Sequence, residues 1–237
     1  MVRGLNASQW HEADNHTALA QQLSDAVAAN LVESIQNQSR ASLVVSGGST
    51  PLPFFHALAK AELDWSKVDV TLADERWVPA DHQDSNETFV KDNLLTGAAA
   101  SARFISLYRA DKSPQQALQE METSLAEMIR PYTVVILGMG GDGHTASLFP
   151  GVDGLEEALD LDARAELAVI APATVPQVRI SMTRAALLRS RYRYLHITGS
   201  NKREVLEGAL NQNDSPALPI SSFFEKHLPP VSVYWSP

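Results

Sequence analysis

The 237-residue chain contains no cysteine. That excludes disulfides, thiolate metal ligands and cysteine nucleophiles. It also lacks a basic excess: 19 Lys and Arg stand against 28 Asp and Glu, a formal net charge of −9. A general nucleic-acid binder needs a basic face, so nucleic acid is not an expected partner. A small anionic ligand stays open, because a local group of Arg, Lys and backbone N–H donors can oppose the global sign. No apolar run approaches the roughly 20 residues needed to span a bilayer. Met1 to Asp14 is polar where a signal peptide would carry an apolar core. The expectation is a cytoplasmic protein with no membrane partner, a monomer or small homo-oligomer.

What is present is apolar enough to build a large core: 44% of the residues are hydrophobic. The length suits one domain over residues 1–237 better than two small ones. Apolar runs at Ser42–Ser46, Val68–Ala73, Arg103–Leu107, Tyr132–Leu137 and Tyr192–Thr198 predict strands, and Val231–Trp235 predicts a closing edge strand. Leu19, Leu23, Val27, Leu31 and Ile35 recur at i+4 spacing and predict a long helix over Asn15–Asn37. Further helices are expected at Pro51–Lys60, Ser85–Leu95, Ser113–Ile129, Thr183–Arg189 and Asn201–Leu210. Ser113 is the N-cap of its helix and Pro114 occupies the first turn. Leu167–Ala171 and Arg179–Met182 read as a strand pair joined by a turn with Pro172 and Pro176, giving some antiparallel pairing near one edge. Gly151–Glu166 reads as a loop with a short helix. Alternating β and α units imply an α/β fold in three layers, a mostly parallel Rossmann-like sheet with helices on both faces.

Three strand-end loops carry chemistry. Ser46-Gly47-Gly48-Ser49-Thr50-Pro51 offers backbone N–H groups and hydroxyls ahead of a helix, a combination that suits a phosphate. It is not a P-loop, because no Lys follows the glycines, and not a nucleophile elbow, because no glycine follows the serine. A plain turn capped by Ser49 is the competing reading. Asp74-Glu75-Arg76-Trp77-Val78-Pro79 puts two acids, an arginine and a tryptophan at a strand end, against a plainer reading as a solvated turn with a local Asp–Arg pair. The third, Gly138-Met139-Gly140-Gly141-Asp142-Gly143-His144, breaks from the Val134–Leu137 run and presents Asp142 and His144 where a helix is expected to begin. It matches G-x-G-x-x-G literally, but Asp142 would repel a pyrophosphate. A carboxylate and an imidazole at the C-terminal edge of a strand look like a proton-transfer unit, against a plainer reading as a tight turn with His144 as a helix cap.

Two cations sit near later strands. Arg179 interrupts the apolar segment Val178–Met182 and needs a partner or a ligand. Lys202 follows a strand-to-helix turn, where its charge opposes the helix dipole. Asp142 and His144 are metal-ligand types, but no second histidine pair has ligand spacing, so no metal is expected. The remaining histidines, His196 among them, read as ordinary packing or surface residues.

Taken together, Ser46–Pro51, Asp74–Pro79, Ser85-Asn86 and the segment Leu137-Gly138-Met139-Gly140-Gly141-Asp142-Gly143-His144-Thr145-Ala146-Ser147-Leu148-Phe149-Pro150 resemble the 6-phosphogluconolactonases, relatives of glucosamine-6-phosphate deaminase. The resemblance runs in order from about Ser42 to the Asn201-Lys202 turn. It implies hydrolysis of a phosphosugar lactone, 6-phospho-D-glucono-1,5-lactone, to 6-phospho-D-gluconate, the second step of the oxidative pentose phosphate pathway, without a cofactor. A strained ester needs only a base, charge stabilisation and positioning. On this resemblance His144 is the general base toward water, and Asp142 or Asp74 orients the imidazole. Arg76 stabilises the oxyanion or product carboxylate. Gly47, Gly48, Ser49, Thr50, Arg179 and Lys202 hold the phosphate.

The sister deaminases carry a segment resembling Asp-Gly-His-Ile-Ala-Phe-Asn-Glu-Pro, whose glutamate helps handle the histidine. Phe149 stands in that place here, and an apolar ring cannot relay a proton. Arg76-Trp77 also resembles the lactonases, where deaminases usually have a Tyr. A non-catalytic phosphosugar-sensing effector domain is the third reading. It would be expected to carry a helix-turn-helix, and only one clear helix precedes Ser42.

Overall fold

The computed structural model describes residues 9–173, 175–211 and 218–237. The polar N-terminal reading over Met1 to Asp14 therefore lies outside the described residues up to position 8, as does Thr174 in the proline-containing turn. Seventeen elements follow in chain order: β1 (Trp10–Glu12), α1 (His16–Gln38), β2 (Ala41–Val45), α2 (Leu52–Leu58), β3 (Val68–Leu72), β4 (Asp74–Arg76), α3 (Asn86–Asn93), β5 (Arg103–Phe104), α4 (Pro114–Ala126), β6 (Tyr132–Leu137), α5 (Leu155–Leu159), β7 (Leu167–Ile170), β8 (Arg179–Met182), α6 (Arg184–Leu188), β9 (Ser190–Thr198), α7 (Ser200–Asn211) and β10 (Ser232–Ser236).

Seven strands form one parallel sheet in the order β1-β10-β9-β6-β2-β3-β5. The chain winds from β2 outward through β3 to β5, then returns to the other side of β2 and winds through β6, β9 and β10. The order reverses between β2 and β6, and a crevice opens at their C-terminal ends, where open α/β sheets bind ligands. Every residue of β2, β3 and β6 is buried, as a sheet covered on both faces requires. On α1 the predicted stripe packs inward at Leu19, Leu23, Val27 and Leu31. Side-chain bonds stitch the base of the sheet: Ser42 and Thr133 exchange backbone-to-hydroxyl hydrogen bonds of 3.0 and 2.9 Å, and Ser34 of α1 meets the Thr133 hydroxyl at 3.0 Å.

Several expectations are corrected. The antiparallel pair is not an edge of the main sheet: β4, β8 and β7 form a separate three-stranded antiparallel sheet. Asp74–Arg76 is a strand of that sheet rather than a loop, because Val178 and the β8 backbone supply its hydrogen-bond partners. The strand over Val231–Trp235 is β10, and it is interior, with β1 covering its outer side. The predicted Arg103–Leu107 strand pairs only over Arg103–Phe104. No helix begins at Asp142–His144. Gly143 and Ala146 take left-handed φ values of 76° and 48°, which a right-handed helix cannot absorb. The next helix starts at Leu155. Among the described residues no helix is long and apolar enough to cross a membrane.

Candidate active site

The crevice between β2 and β6 holds a cavity of about 260 Å³. Of the ten residues singled out from the sequence, nine line it: Gly47, Gly48, Ser49, Thr50, Asp74, Arg76, His144, Arg179 and Lys202. The tenth, Asp142, stands behind His144.

The Gly138–His144 segment folds back as a tight turn. The Gly143 N–H donates to the Gly140 carbonyl at 3.0 Å, and the Gly140 N–H donates to the His144 carbonyl at 2.9 Å. This turn brings the Asp142 carboxylate to His144 Nδ1 at 2.5 Å, and the same oxygen accepts the His144 N–H at 3.2 Å. A carboxylate on Nδ1 fixes the tautomer with hydrogen there, leaving the lone pair on Nε2. Nε2 has no protein partner among the described residues, and the side chain is 28% exposed. The Phe149 ring backs the imidazole, with centroids 4.2 Å apart. Gly140 is required by contact: a Cβ there would lie 2.2 Å from the imidazole Cε1 and 2.6 Å from the Asp142 carboxylate.

Asp142, not Asp74, is therefore the acid bonded to His144. Asp74 is buried and accepts the Ser147 hydroxyl at 2.6 Å, which ties β4 to the segment after His144. The neighbouring Glu75 is also buried, and it clips the start of α3. One carboxylate oxygen accepts the N–H groups of Arg76 and Asn86 at 2.7 and 2.8 Å. The other accepts the Glu87 N–H at 2.7 Å and the Ser85 hydroxyl at 3.2 Å. Burial pushes the Glu75 carboxyl up to about 7 against the pull of those backbone donors.

Arg76 is held by neutral acceptors, the Asp84 carbonyl at 2.9 Å and Asn86 Oδ1 at 2.7 Å. Asn86 also donates to the Asp74 carbonyl at 2.8 Å. A Cβ on Gly47 would sit 2.0 Å from Asn86 Oδ1, so the missing side chain in the first loop makes room for the clamp on Arg76. Arg179 lies opposite Arg76 in the β4–β8 register. It is buried, its Nε has no partner, and its guanidinium carbon stands 5.9 Å from the Phe149 ring centroid. Burial, and Arg76 beside it, lower the Arg179 pKa, with Asp74, Glu75 and Asp84 pulling the other way. Lys202 stands in the first turn of α7, its pKa lowered by burial, and makes no ion pair among the described residues. The first loop does not use Ser49 as a cap; Pro51 occupies the N-cap of α2 with no side-chain bond. Its residues Gly47, Gly48, Ser49 and Thr50 line the cavity.

Sequence reasoning missed Asn86 and His196 as lining residues. Asn86 reads as part of a helix start and of the family resemblance but is given no role in the site, and its role depends on Gly47, 39 positions away in the chain. His196 carries no local signal, since a lone histidine in an apolar strand reads as packing.

The arrangement is an imidazole whose Nε2 has no partner, set in a cavity whose cations Arg76, Arg179 and Lys202 make no ion pair among the described residues. It can activate water beside an anionic, electrophilic ligand. The family model for glucosamine-6-phosphate isomerases/6-phosphogluconolactonase matches residues 14–235. The chain is 43% identical over 231 residues to a 6-phosphogluconolactonase of Rhizobium meliloti, covering 98% of this chain and all of that one. It is 43% identical over 232 residues to a 6-phosphogluconolactonase of Pseudomonas putida, covering 98% and 94%. The crystal structure of a 6-phosphogluconolactonase from Shewanella baltica matches with a TM-score of 0.94 at 41% identity, over 99% of this chain and 100% of that chain. A monomeric glucosamine-6-phosphate deaminase shares the fold, with a TM-score of 0.75 at 19% identity over 96% and 97% of the two chains.

Proposed function

The chain belongs to the glucosamine-6-phosphate isomerase/6-phosphogluconolactonase family, and from that premise we propose that it hydrolyses 6-phospho-D-glucono-1,5-lactone to 6-phospho-D-gluconate. The observation that carries this reading is the Asp142–His144 pair, 2.5 Å apart, with Nε2 unpartnered at a cavity lined by Arg76, Arg179 and Lys202.

His144 Nε2 takes a proton from water as its oxygen bonds to the lactone carbonyl carbon. Asp142 holds the ring and balances the imidazolium that results. The carbonyl oxygen becomes an oxyanion, and Arg76, fixed by Asn86, supplies positive charge to it. The intermediate then collapses: the bond from the carbonyl carbon to the ring oxygen breaks, and the imidazolium returns its proton to that oxygen. The product is an open-chain hydroxy acid, which ionises. Gly47, Gly48, Ser49, Thr50, Arg179 and Lys202 hold the 6-phosphate at a distance from the reacting carbon, so that binding energy positions the ester. The reaction would stand as the second step of the oxidative pentose phosphate pathway, and a cytoplasmic location fits it.

Amine release from glucosamine 6-phosphate is the second reading. It needs an acid against the histidine, and the Phe149 ring lies there instead. The test offers fresh lactone while acid release is followed, beside glucosamine 6-phosphate while ammonia is followed. Acid release above the spontaneous rate, abolished by His144→Ala, is the expected result. Ammonia release, or no acceleration of lactone opening, overturns the proposal.

A further inference from the structure

His196 belongs to no step above, yet it is the most anomalous polar group in the cavity wall. It lies near the C-terminal end of β9, is 4% exposed and lines the same cavity as Lys202. Its Nδ1 is sealed from solvent without a hydrogen-bond partner. Nε2 has none either among the described residues. Phe54 packs edge-on against the ring at 6.1 Å, and Tyr234 is its register partner on β10. The charged or titratable groups acting on it are His16 of α1 and Lys202 of α7, with no carboxylate among them.

A packing histidine would have a bond for at least one nitrogen, because a buried polar atom without a partner destabilises the fold. A leucine would fill the same space without that defect. An imidazole in the wall of a ligand cavity with neither nitrogen bonded among the described residues is instead what a group awaiting a ligand atom looks like. Burial first, then His16 and Lys202, push the imidazole down to about 4, so at neutral pH the ring is uncharged and carries one N–H. Of its two nitrogens, Nδ1 is fully enclosed, which leaves Nε2 for a ligand.

We propose that His196 is a ligand-contacting residue at the phosphate end of the cavity, donating Nε2–H to a phosphoryl oxygen held by Lys202 and the Gly47–Thr50 loop. The inference rests on the proposed lactone reading for which ligand end faces Lys202. It adds a neutral donor to a site otherwise built from cations and backbone. Lys202 supplies the charge, and His196 supplies direction.

The test measures 6-phospho-D-gluconate affinity by titration calorimetry for the wild type, His196→Leu and His196→Gln. It is combined with nitrogen NMR of the wild-type imidazole during addition of inorganic phosphate. Loss of one hydrogen bond to a charged group predicts about a 10-fold or greater weakening for H196L. H196Q, whose amide reaches the Nε2 position, should recover to within about threefold, with KM following affinity and kcat little changed. The Nε2 resonance of His196 should shift as phosphate binds. H196L affinity within twofold of wild type, H196Q as weak as H196L, or an unmoved Nε2 resonance at saturating phosphate overturns the inference. The NMR arm holds even where H196L fails to fold. If wild-type protein binds 6-phospho-D-gluconate but these outcomes fail, only the role of His196 falls. If it neither binds that product nor opens the lactone, the functional reading falls as well.

Discussion

Arg76 and Arg179 are direct register partners across the antiparallel pair β4–β8, so two guanidinium-bearing side chains emerge on the same face of a small sheet. Opposed like charges destabilise a strand pair. Neither has a carboxylate bonded to it: Arg76 uses a carbonyl and an amide oxygen, and the Arg179 guanidinium has no hydrogen bond among the described residues. Such an arrangement is stabilised when an anion arrives between them, and it opposes folding when none does.

Arg179→Met should therefore separate stability from function. Replacing a buried, unpaired charge with an apolar chain of similar length is neutral or stabilising, so the melting temperature should hold or rise. KM for the lactone should climb about 10- to 100-fold, the loss expected for a charged hydrogen bond. Calorimetric melting beside steady-state kinetics decides it. A lower melting temperature with unchanged KM would mean that Arg179 serves the fold alone.

The Asp142–His144 pair predicts a graded loss. His144→Ala should reduce kcat by about 10²–10⁴-fold, the range for a missing general base, with little change in KM. Asp142→Asn should keep a hydrogen bond to the ring but no longer balance the imidazolium, and should also lose mainly kcat. The analogous Asp74→Asn should act through the Ser147 bond instead and lower the melting temperature. Near-normal turnover by His144→Ala at saturating lactone would remove the imidazole from the chemistry.

Gly140→Ala tests whether the turn is shaped for the imidazole. The backbone of Gly140 has no positive φ, so alanine is tolerated by the chain itself. The added methyl would occupy the place of the His144 ring and force it aside. Turnover should fall by about 100-fold, as for a displaced catalytic group, while the protein remains folded by circular dichroism. Retained activity would show that the ring can move without penalty.

Two buried groups give opposite pH dependences of stability. His196 has its pKa lowered from 6.5 to about 4. The unfolded chain then binds the extra proton between those values, and stability falls as pH drops through that window. The effect is roughly 2 kcal/mol at pH 5, and His196→Gln should abolish it. Glu75, raised from 4.5 to about 7, makes the native state hold the extra proton in its own window. Its contribution therefore weakens as pH rises from 4.5 to 7. Chemical denaturation at pH 5 and pH 8 for wild type and H196Q measures the first. A pH 5 to pH 8 difference identical in the two proteins would refute it.

Periodicity along the chain was enough to determine the α/β class, the order of the long helices and the central strands. Those signals are local: i+4 leucines on α1, continuous apolar runs in β3 and β6, and the Ser113-Pro114 helix start, confirmed as a capping box. The three loops were legible for the same reason, since glycines and charged residues at strand ends stand out against apolar neighbours. What depends on how the chain closes in space was not legible. Whether Asp74 or Asp142 meets His144 is decided by how the glycine turn closes. The strand character of Asp74–Arg76 comes from β8, more than 100 positions later, and β1, which takes the edge beside β10, is only three residues long and has too little pattern to read. The partnerless state of His196 emerges only when β9, α1, α2 and α7 close around it. Burial and hydrogen bonding belong to the packed chain, and they convert an ordinary residue type into an unusual one without leaving a mark on the residues beside it.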